Sequence, residues 1–180
     1  MDLKEGIEKI EGLRKAASLG GGQAKIDKIH QEGFLTAEER LHLLLDPGTF
    51  LELYALAGPQ PAEFGSPPPY IPRDGVITGF GKVQGRTVGV YAHDRTVQGG
   101  SLGNVQAAKV TNIIRRACEL KVPVVALQDS VGARIQEGNK NVGFDSIFYS
   151  CTQASGVVPL ISAILGRCAG GVAYSSALMD

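Results

Sequence analysis

The sequence predicts an α/β protein in which a parallel sheet is covered by helices on both faces. Two short apolar runs, residues 122–127 and 157–165, have the length and composition of buried strands. Each run is followed by a loop and then by a segment with helical periodicity, which is the order of a βα unit. The chain is 43% hydrophobic, which is enough for a real core and excludes a disordered protein.

Three helices are predicted before this region. Apolar residues recur at helical spacing until a run of three glycines begins at position 20: Leu3, Ile7, Ile10 and Leu13. Residues 23–31 form a second predicted helix. Thr36 and Glu39 are typical of a capping box at the start of a third helix, which ends near Pro47. We therefore predict a helical arm over residues 1–57, with an apolar strip that must be buried elsewhere.

The middle of the chain contains two segments that are not predicted to be helical. Residues 58–72 contain six of the nine prolines, which predicts an extended linker. Residues 75–83 and 86–92 then alternate branched and small side chains across a Gln84-Gly85 turn, as in a β-hairpin.

Beyond the hairpin, the βα pattern predicts two helices and the opening of a third. The two helices are expected over residues 104–120 and about 142–155, and the third opens near residue 169. Because no capping signal follows it, the chain is expected to end inside that last helix.

Charge is balanced overall but not along the chain. The 18 basic and 18 acidic residues give a net charge of zero, which argues against a general nucleic-acid binder. Residues 1–46 carry a net charge of −2, whereas residues 73–140, with ten basic and five acidic residues, carry +5. This local excess of positive charge is either solvated surface charge or a binding region for an anionic small molecule.

Other features predict a cytoplasmic protein with no direct insertion into a membrane. No apolar run approaches the roughly 18 residues of a membrane span. The charged amphipathic start is unlike a signal peptide. The three widely spaced cysteines form no CxxC pair, so reduced thiols are expected and no metal site is predicted.

Few side chains in the sequence suit acid–base or nucleophilic catalysis. The three histidines have no serine or cysteine nucleophile in a recognisable setting, and the chain has neither an HExxH pair nor a P-loop. We therefore expect any catalytic contribution to come from backbone hydrogen bonds.

Two loops could supply such bonds. Residues 128–138 and 166–171 follow the two apolar strands and are rich in small residues. Ligand crevices in α/β sheets form at the carboxyl ends of strands, where free N–H groups can hold an oxyanion. The alternative is that Gly170 and Gly171 only allow a helix to pack closely on the sheet.

Six segments, in order, resemble the opening part of the β subunits of biotin-dependent acyl-CoA carboxyltransferases. They are HQEGFLTAEERLHLLLDPGTFLEL (30–53), DGVITGFGKVQGR (74–86), DRTVQGGSLG (94–103), DSVGARIQEG (129–138), ASGVVPLISAILGRCAGG (154–171) and AYSSALMD (173–180). The family contains the β chains of propionyl-CoA and methylcrotonyl-CoA carboxylases and methylmalonyl-CoA carboxyltransferase. It also contains the α subunits of methylmalonyl-CoA and glutaconyl-CoA decarboxylases.

The resemblance implies a crotonase-like βα superhelix over residues 73–180, incomplete because family chains are longer. In the family, an N domain like this one holds acyl-CoA, and the C domain of another subunit receives carboxybiotin. A carboxyl group moves between carboxybiotin and the α-carbon of a short acyl-CoA through an enolate with a stabilised oxygen. This chain would be an incomplete piece that is inactive alone. The alternatives are a decarboxylase subunit and a non-catalytic CoA-binding or assembly piece.

The resemblance also implies partners. Biotin would be carried on a separate carrier protein or domain, and the CoA thioester would be the substrate. The other partners would be biotin carboxylase or decarboxylase subunits, and the chain would form a homo-oligomer, a dimer or larger.

The resemblance also implies site residues, at the positions of this sequence that match the motifs of the family. The oxyanion pair falls on Val131 and Gly132, and the substrate-binding positions are Gly99, Gly100, Ala133, Arg134, Gly170 and Gly171. Two positions depart from the family, which usually has DSGGAR where Val131 stands and commonly phenylalanine where Arg95 stands. The isopropyl group of Val131 is expected to crowd the acyl site.

Three acidic or basic side chains of this loop have other expected roles. Arg134 and Glu137 are expected to form an ion pair that braces the loop. A crotonase-type hydratase would need two carboxylates, and Asp129 and Glu137 are the only pair close in sequence, so that alternative ranks last.

Overall fold

A computed structural model describes residues 2–59, 70–137 and 143–180, which form six helices and five strands. In chain order these are α1 (Leu3–Ser18), α2 (Gln23–Gln31), α3 (Ala37–Leu44), β1 (Leu51–Leu53), β2 (Val76–Val83), β3 (Arg86–His93), α4 (Asn104–Leu120), β4 (Val124–Ser130), α5 (Phe144–Ala154), β5 (Leu160–Cys168) and α6 (Gly171–Ala177). Most of the predicted linker over residues 58–72 lies outside the described residues.

The five strands form one sheet in the order β1-β2-β3-β4-β5. The pairs β1–β2 and β2–β3 are antiparallel, whereas β3, β4 and β5 run parallel to one another. Val83 pairs with Arg86 across the turn, where Gln84 and Gly85 both have positive φ. Both the predicted hairpin and the predicted parallel βα units are therefore confirmed.

Helices cover both faces of the sheet. Helices α4 and α5 bury one face in a cluster that includes Val124 and Leu160, while α3 covers the other face around Leu41 and Val90. Cover is incomplete at the last strand, where three apolar side chains remain 40–57% exposed: Ile161, Ile164 and Leu165.

Both parallel strands β4 and β5 begin and end later than predicted. Each begins directly after a proline, Pro123 or Pro159, because a proline has no N–H to donate to the ladder. The two proline carbonyls still accept hydrogen bonds, from Gly89 and Val124 respectively. The prediction that the chain ends inside its last helix is also wrong, since α6 ends at Ala177 and Asp180 N–H donates to the Leu160 carbonyl.

Buried charges join the segment before the hairpin to the sheet. The Arg73 guanidinium contacts Glu38 of α3 at 2.7 Å and Glu52 of β1 at 2.8 Å. Lys109 of α4 donates to the carbonyls of Arg73 and Val76, and burial lowers its pKa to about 7. These basic residues, counted in the +5 stretch of the sequence, are therefore internal.

Candidate functional site

The loops predicted to form the site meet at the carboxyl edge of β4 and β5. Leu102 N–H, just after the turn at Gly99 and Gly100, donates to the Gly132 carbonyl at 2.8 Å. Leu102 also forms an isolated parallel bridge with Ala133. The turn before α4 is thereby tied to the loop that follows β4.

The loop after β5 approaches the same place from the other side. A Cβ atom on Gly132 would lie 3.1 Å from the Ala169 carbonyl oxygen and 3.8 Å from Gly170 Cα. Gly132 has φ of 100° and Gly170 has φ of 56°, so both occupy backbone regions that favour glycine. The two glycines therefore allow the main chains of the two loops to lie side by side.

The predicted oxyanion donors already have partners within the protein. Val131 N–H donates to the Gly99 carbonyl at 3.1 Å, and Gly132 N–H donates to Ser130 Oγ at 3.2 Å. In the described part of the chain, the N–H groups of Gly170 and Gly171 have no protein acceptor. Of these four N–H groups, two are therefore open donors, and the hydroxyl partner of a third, Gly132, can rotate away.

Packing alone requires glycine at two other predicted site positions. A Cβ atom on Gly100 would lie 2.4 Å from the Asp129 carbonyl oxygen, and one on Gly171 would lie 2.4 Å from the Phe144 ring. Close packing of α6 against α5, and not on the sheet as in the alternative drawn from the sequence, therefore accounts for Gly171 without a ligand.

Arg134 faces the interior of the protein. It is 1% exposed, and its Nη1 contacts Asp74 at 2.5 Å and Glu137 at 2.7 Å. Its Nη2 also donates to the Ser101 carbonyl. The expected bracing pair with Glu137 is present, and it extends to the 3-10 turn that contains Asp74.

The two carboxylates that a hydratase would need are occupied elsewhere. Asp129 is 1% exposed and forms an ion pair with Arg40 at 3.0 Å. Glu137 accepts hydrogen bonds from Arg134 and from the Asn104 N–H at the start of α4. Neither carboxylate is positioned for acid–base work on a ligand.

A cleft with a volume of about 260 Å³ opens beside these loops. Its described lining contains four basic side chains and one acidic one, together with Thr96, Gly99 and the 41% exposed Val131. The charged members are Lys25, Lys28, Glu32, Arg95 and Arg167.

The basic residues of the cleft differ in how far they are neutralised. Arg95 forms an ion pair with Glu32 and stacks 4.7 Å from the centre of the Phe34 ring. Lys25 donates to the Thr96 carbonyl at 3.0 Å. Lys28 and Arg167 have no carboxylate partner among the residues the structure describes. The cleft therefore attracts anions.

Sequence reasoning missed most of these cations. Within the described residues, Arg95 is the one basic residue of the 73–140 stretch that lines the cleft. Lys25 and Lys28 belong to the segment with net charge −2, and α2 brings them to the cleft. Counting charge along the sequence could not reveal this, because the helical arm folds back on the loops.

The described residues contain neither a metal-binding cluster nor a membrane-spanning helix. No group of three His, Cys, Asp or Glu side chains within the described ranges is arranged to hold a metal ion. Among the described helices, none combines the length and apolar character needed to cross a membrane.

Comparison with known proteins identifies the family. The model of the carboxyl transferase domain matches residues 28–180. The chain belongs to the carboxyl transferase family. A carboxyltransferase subunit of propionyl-CoA carboxylase from Haloferax mediterranei is 49% identical over all of this chain. The mitochondrial propionyl-CoA carboxylase β chain of Homo sapiens is 48% identical over 96% of it, and methylmalonyl-CoA decarboxylase subunit α of Veillonella parvula is 42% identical over 99%.

Solved structures confirm the fold of this carboxyl transferase chain. Transcarboxylase 12S, solved with methylmalonyl-coenzyme A and methylmalonic acid bound, matches all of the chain with a TM-score of 0.95 and 40% identity. A single-chain, multi-domain long-chain acyl-CoA carboxylase matches with a TM-score of 0.83 and 27% identity. The crotonase-like fold expected from the resemblance is confirmed. The chain spans 33–36% of the length of the transcarboxylase and of the three relatives above, and 19% of the long-chain enzyme.

Proposed function

We propose that this chain binds a short acyl-CoA and forms the acyl-CoA side of a carboxyltransferase site. The observation that carries the proposal is the meeting of two glycine-containing loops, at Gly132 and Gly170, beside an anion-attracting cleft. A related structure, transcarboxylase 12S, was solved with methylmalonyl-coenzyme A bound, which supports the same ligand class here.

The two parts of the proposed site suit the two ends of the ligand. The thioester carbonyl would lie against the loops, where the absence of side chains at Gly132 and Gly170 exposes the main chain. The phosphates of CoA would be attracted by Lys28 and Arg167, which have no carboxylate partner in the described chain.

The chemistry asked of these residues is stabilisation of an enolate oxygen. Backbone N–H groups aimed at such an oxygen contribute about 2.7–4 kcal/mol each to lowering the barrier. Gly170 and Gly171 are open donors, Gly132 becomes one when Ser130 Oγ rotates, and Val131 becomes one only if its bond to Gly99 opens. We therefore assign the main donor role to Gly132, Gly170 and Gly171.

No side chain of the described site is placed to take the α-proton. Asp129 and Glu137 are held in buried ion pairs, so the described loops bind and orient the thioester but leave proton transfer to another group. This arrangement fits a biotin-dependent reaction, in which carboxybiotin, when bound on its separate carrier, supplies the carboxyl group.

A decarboxylase subunit is a second candidate for the whole protein. The 42% identity to a methylmalonyl-CoA decarboxylase α subunit favours it, and the same loops would serve both reactions. A non-catalytic CoA-binding role is favoured by one observation, the bond that holds Val131 N–H to Gly99.

We propose that the partners are further copies of this chain, a biotin carrier and a biotin carboxylase or decarboxylase subunit. Self-association is supported by the hexamer of transcarboxylase 12S and by the exposed apolar side chains of α1: Leu3, Ile7 and Ile10. The three cysteines are free thiols, which suits a reducing compartment such as the cytoplasm.

Calorimetric titration of the 180-residue chain with propionyl-CoA and with free CoA tests the proposal. We expect both to bind, with the thioester bound more tightly because it adds contacts to the loops. If neither ligand binds at millimolar concentration, the proposed function is wrong.

Removing the cations of the cleft should weaken binding of the CoA moiety. We expect Lys28→Ala and Arg167→Ala each to raise the Kd of free CoA about five- to tenfold, because each removes a charge-assisted contact. Lys9→Ala, on the exposed side of α1, serves as the matched control and should leave the Kd unchanged. An unchanged Kd in both cleft variants would show that the phosphates bind elsewhere.

The side chain of Val131 should limit the size of the acyl group. We expect Val131→Ala to improve binding of butyryl-CoA relative to acetyl-CoA about tenfold, since an added methylene changes discrimination by about 1–3 kcal/mol. Val157→Ala removes an equally exposed valine at a distance from the loops and should leave the ratio unchanged. Equal ratios in the Val131→Ala variant and the parent chain would contradict the prediction.

A further inference from the structure

Arg40 of α3 connects the helical arm to the ends of both site-bearing strands. It is 7% exposed, and its Nη2 lies 3.0 Å from Asp129 Oδ2 near the end of β4. The same nitrogen donates to the Leu165 carbonyl of β5 at 3.2 Å. A single guanidinium therefore contacts β4 and β5 immediately before the loops that carry the candidate donors.

Asp129 extends this connection into β5. Its Oδ1 accepts a hydrogen bond from Arg167 N–H at 3.1 Å. A Cβ atom on Gly166 would lie 2.3 Å from the Asp129 carboxyl group, so any side chain there would displace the carboxylate. The carboxylate thus fills the space beside the backbone of residues 165–167 and binds it from one side, while Arg40 neutralises its charge from the other.

The contacted segment is an irregularity in the sheet. Gln128 pairs with Ile164 but Ser130 pairs with Cys168, so β5 advances four residues while β4 advances two. Such bulges bend a strand and change the direction of the residues that follow, and they are common beside active sites. Directly after this bulge, Ala169 N–H donates to the Ser130 carbonyl and Gly170 lies against Gly132.

We propose that Arg40 is a positioning residue, which sets the spacing of the two thioester-binding loops by holding the Asp129 carboxylate in the β5 bulge. The inference rests on the proposed function. Without the guanidinium, a buried carboxylate is left without its countercharge, which is strongly unfavourable. The bulge that the carboxylate supports then shifts, and Gly170 moves relative to Gly132.

The test is the carbonyl stretching frequency of propionyl-CoA, isotope-labelled at the thioester carbon and bound to the 180-residue chain. Donors aligned on the oxygen lower this frequency. We expect the parent chain to show the shift and Arg40→Met to lose it. The Kd of free CoA should rise less than in Arg167→Ala, because Arg40→Met keeps all four basic side chains of the cleft. Arg40→Lys keeps the charge on a side chain that is one atom shorter, so it should retain part of the shift.

Glu52→Gln is the matched control. It weakens a second arginine ion pair, the less deeply buried one with Arg73, at a distance from the bulge, and it should leave the frequency shift intact. A full shift in Arg40→Met, or in Arg40→Lys if the methionine variant does not fold, overturns the positioning role and leaves the proposed function standing. If the parent chain binds the thioester without any shift, or does not bind it, the proposed function fails and the inference fails with it.

Discussion

Replacing Arg134 with methionine should lower the free energy of unfolding by about 3–5 kcal/mol, the usual cost of removing one partner from a buried ion pair. Two carboxylates, Asp74 and Glu137, would lose the cation that both contact within 2.7 Å. Asp74 is fully buried, and burial already raises its pKa despite the neighbouring guanidinium. Urea denaturation of the parent chain and the variant measures the difference.

Arg95→Met is the control for this experiment. Arg95 also forms an ion pair, with Glu32, but that glutamate side chain is 41% exposed and solvent can replace the lost contact. We expect a loss of no more than about 1 kcal/mol, as for other surface pairs. Equal losses in the two variants would show that the Arg134 cluster contributes no more than a surface pair.

Acidification should destabilise the protein through His93. This side chain at the end of β3 is 3% exposed, and neither of its ring nitrogens has a hydrogen-bond partner among the described residues. Burial lowers its pKa from 6.5 to about 4, against the opposing attraction of the Asp129 carboxylate. The unfolded chain therefore binds the proton more readily than the folded one, and stability present above pH 6.5 is lost as the pH falls towards 4. The loss should reach about 3 kcal/mol.

His93→Phe tests the assignment, because it keeps the ring that packs edge-on against Tyr91 and removes the titrating group. Urea denaturation between pH 6.5 and about 4 measures the free energy of unfolding at each pH. This free energy should fall less steeply for the variant than for the parent chain. His42→Gln removes an exposed histidine of α3 and should keep the parent profile. An unchanged slope in His93→Phe would assign the acid sensitivity to other groups.

Local signals explain which parts of the fold could be predicted from the sequence. The bounds of α2 and α4 match the predicted ones residue for residue, and the hairpin turn lies at Gln84-Gly85. Glycines, the helical period and the alternation of branched residues specify these elements within a few positions. Strand β1 was missed because its three residues have no such pattern, and it is defined only by pairing with β2.

The part of the site that follows from the topology of the parallel sheet could be predicted from the sequence. Parallel strands place their carboxyl ends at one edge, so the loops at Gly132 and Gly170 were expected to meet. The cations of α2 and the pair formed by Arg40 and Asp129 were not predictable, because they depend on how the arm packs against the sheet. A charged arginine in an amphipathic helix gives no local sign that it will be buried.

The basic residues that line the cleft and the basic residues held in buried ion pairs should respond differently to ionic strength. The Debye length falls from about 30 Å at 0.01 M salt to about 3 Å at 1 M, which screens exposed charges but hardly affects buried pairs. Added salt should therefore suppress the attraction of Lys28 and Arg167 for a phosphate ligand while the Arg73 and Arg134 clusters keep the arm and the loops in place. Salt should therefore release the proposed CoA ligand reversibly, without unfolding the protein.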